Sequence, residues 1–418
     1  MKKLMNLPPP QPLPQAPPPG VPPPLVAIPV LGNPEHNLEY LFDPGFVENG
    51  RTLDFFRNMT PTNIVEYLSK PFFNTLIDCS NGAEPNVNLS MKDMYTYHAA
   101  LTLGVHFQGV PMYGLWQDQP CFQFTGEASK LRTLLPLHRF KYIRSKLKGY
   151  RPEDDIPTKT RSWKVDRAWA AVKGEVESCL SCPGEFLSAD EGMAQGSSKR
   201  NPIYVSLGKA KPLEGFRFFL LVDYQTKVII SIILDNKILT KENCANRPGR
   251  FSGAIIDLLC SGLPGSWYKV MADNYYNTLA LATHMMENRR VLVGGTMQKK
   301  HTPREVYFGN AKKPKPSNTF PKGSLKMVKS ADRPVYFYSW MDSARVYFID
   351  PAYGPGQCAI IHRKKKDGTR QAFNVPRFIV AYNKYMHAVD VFDQIRQLFG
   401  CDTSHRTLKW TVRMFEIF

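Results

Sequence analysis

Long apolar runs are missing from this 418-residue sequence. The richest stretch, residues 218–234, is interrupted by Asp223, Gln225 and Lys227. A membrane-spanning helix needs about 20 mainly apolar residues, so we expect no membrane partner. Prolines follow closely on the N-terminal lysines, where a secretory signal peptide would have a continuous apolar segment. We therefore expect the protein to remain inside the cell.

Cysteine is also scarce, with 8 residues in the whole chain. Apart from Cys179 and Cys182 the cysteines are widely spaced, which does not predict a disulfide framework and suits a reducing compartment. The close pair has no second CxxC and no histidine pair at zinc-finger spacing. We interpret the two as free thiols near a helix end.

Acidic charge is low relative to basic charge: 36 Asp and Glu against 54 Lys and Arg, a net charge of +18. Residues 299–377 contribute +12 of this, with 17 Lys or Arg and 5 Asp or Glu. A strongly positive surface field favours a polyanionic partner. Nucleic acid is the first candidate and an anionic membrane surface the second, and nothing indicates a small-molecule substrate.

The pattern of residues changes along the chain and predicts a division into segments. Three PPP runs before residue 33 impose an extended polyproline conformation, either as a solvated tail or as a ligand for an SH3 or WW module. Helical periodicity follows, and then short apolar strands that alternate with helices, which indicates a mixed α/β sheet with helices on its faces. The predicted segments are a Pro-rich disordered tail (1–33), a helical domain (34–184), a first core part (185–298), a basic β-rich insertion (299–377), a second core part (378–400) and the start of a returning helical domain (401–418).

Four aspartates occupy positions from which a packed core presents side chains. Asp190 and Asp273 each end a predicted apolar strand, and Asp390 and Asp393 lie three residues apart on one face of a predicted helix. A single Asp after a strand is more often a turn or cap residue. Carboxylates that share a site repel, and Mg²⁺ or Mn²⁺ relieves that repulsion and supports phosphodiester chemistry.

Local sequence around these aspartates resembles, in order, the signature blocks of the piggyBac transposase family. The blocks read SADEGM at 188–193, LVDYQTK at 221–227, ADNYY at 272–276 and YNKYMHAVDVFDQ at 382–394. The last is the most specific. Two shorter blocks, LHRF at 137–140 and WMD at 340–342, add support, and the resemblance runs from about residue 50 to the end.

The resemblance implies an α/β fold: a ribonuclease-H-like core split by a mainly β insertion, with an N-terminal helical dimerisation and DNA-binding domain. It implies that Asp190, Asp273 and Asp390 are the catalytic, metal-binding residues of a two-metal Mg²⁺ or Mn²⁺ site, with Asp393 as a fourth ligand. It further implies strand cleavage and transfer on double-stranded DNA through hairpin ends, TTAA targets, a homodimer and a nuclear location.

Basic residues are expected to contact the DNA backbone, since Lys and Arg neutralise phosphates without reading sequence. A solvated, loop-rich face is the alternative interpretation. The candidate residues are Lys209, Lys211, Lys299, Lys300, Arg304, Lys312, Lys313, Arg363, Lys364, Lys365 and Lys366.

The sequence departs from the family pattern in a few places. His387 stands where a glycine is expected, and Gln298 where an arginine is expected. The last predicted helix ends on apolar residues without a cap, so we expect a C-terminally truncated chain that lacks the family's Cys-rich zinc module. Two alternatives to an active transposase core therefore remain: a domesticated or truncated DNA-binding protein without catalysis, and a cytosolic scaffold that uses its Pro-rich tail.

Overall fold

The computed structural model describes residues 25–27, 43, 57–107, 112–117, 127–154, 160–179, 182–196, 201–206, 214–308, 315–317, 319–354, 358–364, 368–399 and 409–417. Of the predicted Pro-rich tail only 25–27 lies within this part of the chain, and it forms a short strand. None of the helices that the structure describes is long and apolar enough to cross a bilayer. Cys179 and Cys182 are both in the thiol form.

Helices build the N-terminal part, and their starts follow from local sequence. Thr60 accepts a hydrogen bond from the Asn63 amide, and Ser90 forms a capping box with Asp93. The helices are α1 (Pro61–Ala83), α2 (Met91–His106), α3 (Glu127–Leu134), α4 (Leu137–Lys146) and α5 (Asp166–Glu177), with 3₁₀ turns at Met112–Trp116 and Pro152–Asp154. They share an aromatic core in which the Tyr97 and Phe140 rings stack with centroids 4.9 Å apart.

Ten of the described strands form one mixed sheet. They are β1 (Leu25–Ala27), β2 (Phe186–Gln195), β3 (Val205–Ser206), β4 (Glu214–Asp223), β5 (Ile229–Leu234), β6 (Tyr268–Ala272), β7 (Val291–Thr296), β8 (Leu325–Ser330), β9 (Tyr336–Met341) and β10 (Arg345–Asp350). At its centre β5, β4 and β2 are antiparallel neighbours, and β6 and then β7 run parallel to β2. Three antiparallel strands followed by two parallel ones make the predicted ribonuclease-H-like core, and the α/β fold class is confirmed.

Strands β8–β10 of the basic segment, residues 299–377, continue the central sheet. Strand β10 pairs antiparallel with β7, and β9 and β8 follow it, so these strands extend the central sheet. Only β11 (Cys358–Lys364) and β12 (Arg370–Pro376) pair apart from it, as a two-stranded ribbon. The six-segment division of the chain remains a prediction.

Helices cover both faces of the core strands. The first face packs against the N-terminal helices, α9 (Ala388–Phe399) and α10 (Trp410–Ile417), through residues such as Phe216 and Phe218. The second face packs against α6 (Arg250–Leu259) and α7 (Leu279–His284) through residues such as Phe219 and Leu221. Side chains on a strand alternate between faces, and strands covered on both sides are apolar throughout.

Candidate active site

The register of the sheet brings Asp190 next to Asp273. Strands β2 and β6 are parallel with Ala189 paired to Ala272, so the two aspartates occupy the next position on adjacent strands. Asp273 directly follows β6, as predicted. Asp190 does not end its strand, because β2 continues to Gln195. That prediction was wrong because pairing with β4 holds the chain extended beyond the aspartate.

The loop that carries Asp273 is held by backbone and side-chain hydrogen bonds. The Tyr275 amide donates to Asp273 Oδ1 at 2.7 Å. The buried Asn277 amide group donates to the Ala272, Asp273 and Thr296 carbonyls at 2.8, 3.1 and 3.0 Å, which joins the ends of β6 and β7. Gly295 has φ +146°, and a Cβ there would collide with the Ala272 carbonyl. The ends of these strands therefore approach closely and fix Asp273.

Asp390 reaches the site from a helix start. The predicted helix that carries Asp390 and Asp393 is α9, and a separate helix, α8 (Arg377–Tyr385), precedes it, with the break at Met386 and His387. Ser188 Oγ on β2 donates to the Met386 carbonyl at 2.7 Å, and this bond ties the break to the strand that carries Asp190. Asp390 lies in the first turn of α9, where the helix dipole favours a carboxylate.

Asp393 lies one turn further along α9, above β2. A Cβ added at Gly192 would be 2.9 Å from Leu220 Cδ1 and 3.4 Å from Asp393 Oδ1, so Asp393 lies close to the strand at this glycine. Arg396 donates both to Asp393 Oδ1 at 3.3 Å and to the Met193 carbonyl at 2.6 Å. Asp393 is thus held by an arginine at the edge of the site.

The carboxylates share a local excess of negative charge. Burial raises the pKa of Asp190 to about 7, and Asp273, Glu191 and Asp390 add to the rise, although the Glu191 amide opposes it. In the described chain no basic side chain forms an ion pair with Asp190, whereas Glu191 faces Arg217 on the other side of the strand. A half-buried carboxylate beside two others is suited to binding a cation.

The donor chemistry fits Mg²⁺ or Mn²⁺, which prefer carboxylate oxygens. As the side chains stand, no three His, Cys, Asp or Glu residues within the described ranges form a closed ligand set. Asp190, Asp273 and Asp390 are near neighbours whose side chains do not converge on a single point. Asp390 is the most exposed of the three, with 59% of its side chain accessible.

Two tyrosines at this site were missed by the sequence reasoning. Burial raises the pKa of Tyr382 to about 12, a shift to which Asp273, Asp190 and Asp390 all add, and its hydroxyl is 3.2 Å from Thr296 Oγ1. Tyr276 is buried, its hydroxyl has no hydrogen-bond partner within the described structure, and burial raises its pKa, helped by Asp190. Both residues belong to the signature blocks. A tyrosine in an apolar run is nevertheless interpreted as a core residue unless the residues that contact it in space are known.

His387 and Gln298, the two departures from the family pattern, both flank the site. The His387 carbonyl accepts from the Val391 amide, and its Nδ1 is 3.4 Å from Asp390 Oδ2. The ring is exposed, so it lies beside Asp390 and does not fill the cleft. Gln298 precedes a 3₁₀ turn after β7.

Of the predicted DNA contacts, the structure describes five. Lys299 lies over the Tyr307 ring at 5.0 Å, whereas Lys300 and Arg304 are exposed. Arg363 pairs with Asp342 at 3.2 Å, and Lys364 is exposed near the tip of the ribbon. The others lie outside the described residues: Lys209, Lys211, Lys312, Lys313, Lys365 and Lys366.

Comparison with known proteins gives two matches. A family model described as Transposase IS4 matches residues 60–418. The fold is similar to the cryo-EM structure of a piggyBac transposase synaptic complex with hairpin DNA, with a TM-score of 0.65, 16% identity and coverage of 88% of this chain and 74% of that chain. At this identity the likeness shows the fold. A search of curated proteins found no match.

Proposed function

Because the chain belongs to the Transposase IS4 family, we propose that it is a piggyBac-type DNA transposase that uses Asp190, Asp273 and Asp390 for metal-dependent strand cleavage and transfer. Family membership and the likeness to a piggyBac transposase structure support the transposase role. The residues, the metal and the specific reaction are our proposal.

The convergence of three distant aspartates is the observation that carries this proposal. They come from β2, from the loop after β6 and from the first turn of α9, and Asp273 and Asp390 both raise the pKa of Asp190. A purely structural role gives no reason to collect three carboxylates at one place, since each one makes ionisation of the others less favourable. A catalytic cation site does.

Different side chains would bind the metal ion and position its ligands. Bound Mg²⁺ or Mn²⁺ would supply the activation of a hydroxyl and the stabilisation of the leaving phosphate oxygen. Asp190, Asp273 and Asp390 would hold it, with Asp393 beside them. Asn277 and Ser188 fix the two loops that present Asp273 and Asp390, so the carboxylates are held by rigid elements.

We propose duplex DNA as the substrate, with hairpin ends and TTAA targets as the resemblance implies, a homodimer as the working unit and the nucleus as its location. The similar structure is a synaptic complex with hairpin DNA, which supports this choice. The net charge of +18 would supply the sequence-independent part of the affinity.

Nicking of a labelled duplex that carries a candidate transposon end tests the proposal. Wild-type protein should nick only when Mg²⁺ or Mn²⁺ is added, and Asp273→Asn should lose at least about a thousandfold in rate, since it removes a metal ligand. Asp332→Asn, the same change at an exposed turn, should match the wild type. Cleavage that survives Asp273→Asn would exclude this site.

A DNA-binding protein without catalysis is the second candidate. The lack of a closed set of three ligands among the described residues favours it. The same preparation distinguishes the two: salt-sensitive DNA binding with no cleavage under any divalent cation, while the fold is intact by circular dichroism, would select the non-catalytic function.

A further inference from the structure

The ribbon of β11 and β12 stands apart from the main sheet. The strands pair over seven positions, from Cys358 with Pro376 to Lys364 with Arg370. Beyond Ile361 both of its faces are largely open to solvent. The exposed side chains in this outer half are His362, Lys364, Thr369, Arg370, Gln371 and Ala372.

One face of the ribbon is anchored to the rest of the molecule. Val375 is buried, and a Cβ at Gly323 would collide with the Phe373 ring, so the two are in close contact. Arg363 pairs with Asp342 at 3.2 Å and lies 5.3 Å from the Trp340 ring. Although Arg363 belongs to the basic cluster in the sequence, its guanidinium is therefore engaged in holding the ribbon in place.

The outer half carries a like-charge pair that folding does not explain. Lys364 lies directly across from Arg370, and like charges at facing positions of an antiparallel pair are destabilising. Neither forms an ion pair with any residue that the structure describes. An anion bound between the two cations would remove this repulsion.

We propose that the outer half of the ribbon is an arm that binds the phosphates of duplex DNA through Lys364 and Arg370. The inference rests on the proposed function, because it takes the DNA engaged at the aspartates as the ligand. Two facing cations suit a phosphate backbone, and a two-stranded ribbon is narrow enough to enter a major groove.

The chain path places this arm within reach of the same duplex. Strand β12 leads directly into α8, which carries Tyr382 to the aspartates. Six strand residues span about 20 Å and six helical residues about 9 Å. The tip therefore lies no more than roughly 30 Å from Tyr382 along this path, less than the about 34 Å of one DNA turn. One duplex can contact both.

Binding of a fluorescent duplex, measured by anisotropy over a salt series in EDTA, tests the arm separately from catalysis. The double variant K364Q/R370Q should weaken binding roughly tenfold to a hundredfold at 0.1 M salt. It should also reduce the slope of log Kd against log salt by about two, because each lost phosphate contact removes about 0.9. Lys241→Gln, the same kind of change at an exposed turn outside the ribbon, is the control and should leave the affinity and the slope nearly unchanged.

Lys364→Glu separates binding from folding. Opposite Arg370, a glutamate replaces repulsion with attraction, so this variant should melt at the wild-type temperature or above and yet bind the duplex more weakly. Wild-type affinity and slope in both K364Q/R370Q and Lys364→Glu would overturn the arm. If these variants lose as much affinity for a single strand of the same length as they lose for the duplex, the assignment to duplex DNA would be overturned.

The two proposals fail differently. If the ribbon variants bind like the wild type while Asp273→Asn abolishes nicking, the arm is wrong and the transposase proposal stands. If no preparation nicks but the salt slope falls as expected, the arm stands and the catalytic proposal is wrong.

Discussion

Asp190 is an acidic residue within a strand whose neighbouring residues are buried. Its neighbours Ala189 and Ser188 are buried, and Leu220 pairs with it from β4. A carboxylate at such a position has an energetic cost that asparagine would not have. Its presence is therefore evidence for a ligand or a reaction that compensates for the cost.

We predict that Asp190→Asn stabilises the metal-free protein at pH 8 by about 1–3 kcal/mol. The folded-state pKa is about 7, above the usual value near 4, so the native state binds more protons between these pH values. Wild-type stability thus falls as the pH rises from about 4 to 7, and the asparagine variant lacks this fall. Thermal melts in EDTA at pH 5 and pH 8 measure it.

The matched control is Asp390→Asn, whose carboxylate is mostly exposed and which should change the metal-free melting temperature less. Added Mg²⁺ or Mn²⁺ should raise the melting temperature of the wild type, and of neither variant to the same extent. If Asp190→Asn melts below the wild type at pH 8, the carboxylate is not under the strain that we infer.

Tyr382 is predicted to position the site by its hydroxyl. Tyr382→Phe keeps the ring in the core but removes the hydroxyl, whose pKa is raised by burial and by the negative charges of Asp273, Asp190 and Asp390. The half-saturating concentration of Mg²⁺ for nicking should rise roughly tenfold, the lower range for residues that orient metal ligands. The readout is the metal dependence of the nicking rate.

Thr296→Val removes the hydrogen bond of 3.2 Å between Thr296 Oγ1 and the Tyr382 hydroxyl, and leaves the Tyr382 hydroxyl in place. It should lose about 1 kcal/mol of stability with little change in metal requirement. If the two variants shift the metal dependence equally, Tyr382 acts only by packing.

At the scale of elements, the docking of α10 depends on one buried ion pair. Glu416 is 2% exposed; its Oε1 accepts from Tyr97 at 2.7 Å and from Arg144 at 2.9 Å. Because these partners lie on α2 and α4, the last described helix is bound to the first helices. The pair thus connects elements more than 250 residues apart in sequence.

We predict that Glu416→Ala destabilises the protein by about 3 kcal/mol, since it leaves the Arg144 charge buried without a partner. The double variant R144M/E416M should recover most of this loss, because apolar groups of similar size need no counter-charge. Urea unfolding measures both. A small loss in Glu416→Ala would show that α10 is held mainly by its apolar face, through Val412 and Phe415.

At the scale of the whole molecule, one core joins the helices to the sheet. The same apolar cluster contains Phe73 and Phe140 from the helices and Phe218 from β4, and Trp169 stacks on Phe218 at 5.6 Å. Arg413 adds a hydrogen bond from α10 to the Gln195 carbonyl at 3.1 Å.

We therefore predict a single unfolding transition for the helical part and the sheet. Calorimetric and van't Hoff enthalpies should agree, and tryptophan fluorescence and far-ultraviolet circular dichroism should have the same midpoint. Two separated transitions would show that the residues predicted as a helical domain fold independently of the core.

The sequence by itself determined the fold class, because strand and helix periods reflect local burial that each segment carries in its own residues. It also predicted apolar strands that end at Asp190 and Asp273; the second strand ends there, whereas the first continues to Gln195. It also identified the kinship with transposases, because ordered blocks of residues persist whatever their position in space.

Only the tertiary structure decided the rest. Strands β8–β10 extend the central sheet because β10 pairs with β7. Hydrogen bonds between strands that are distant in sequence produce no periodic pattern in the residues of either strand. The break at Met386 depends on a bond from Ser188, 198 residues away. Whether Arg363 or Lys364 is available to a partner depends on where Asp342 lies, which a run of four basic letters does not encode. Packing between distant segments, and not local propensity, decides which side chains meet.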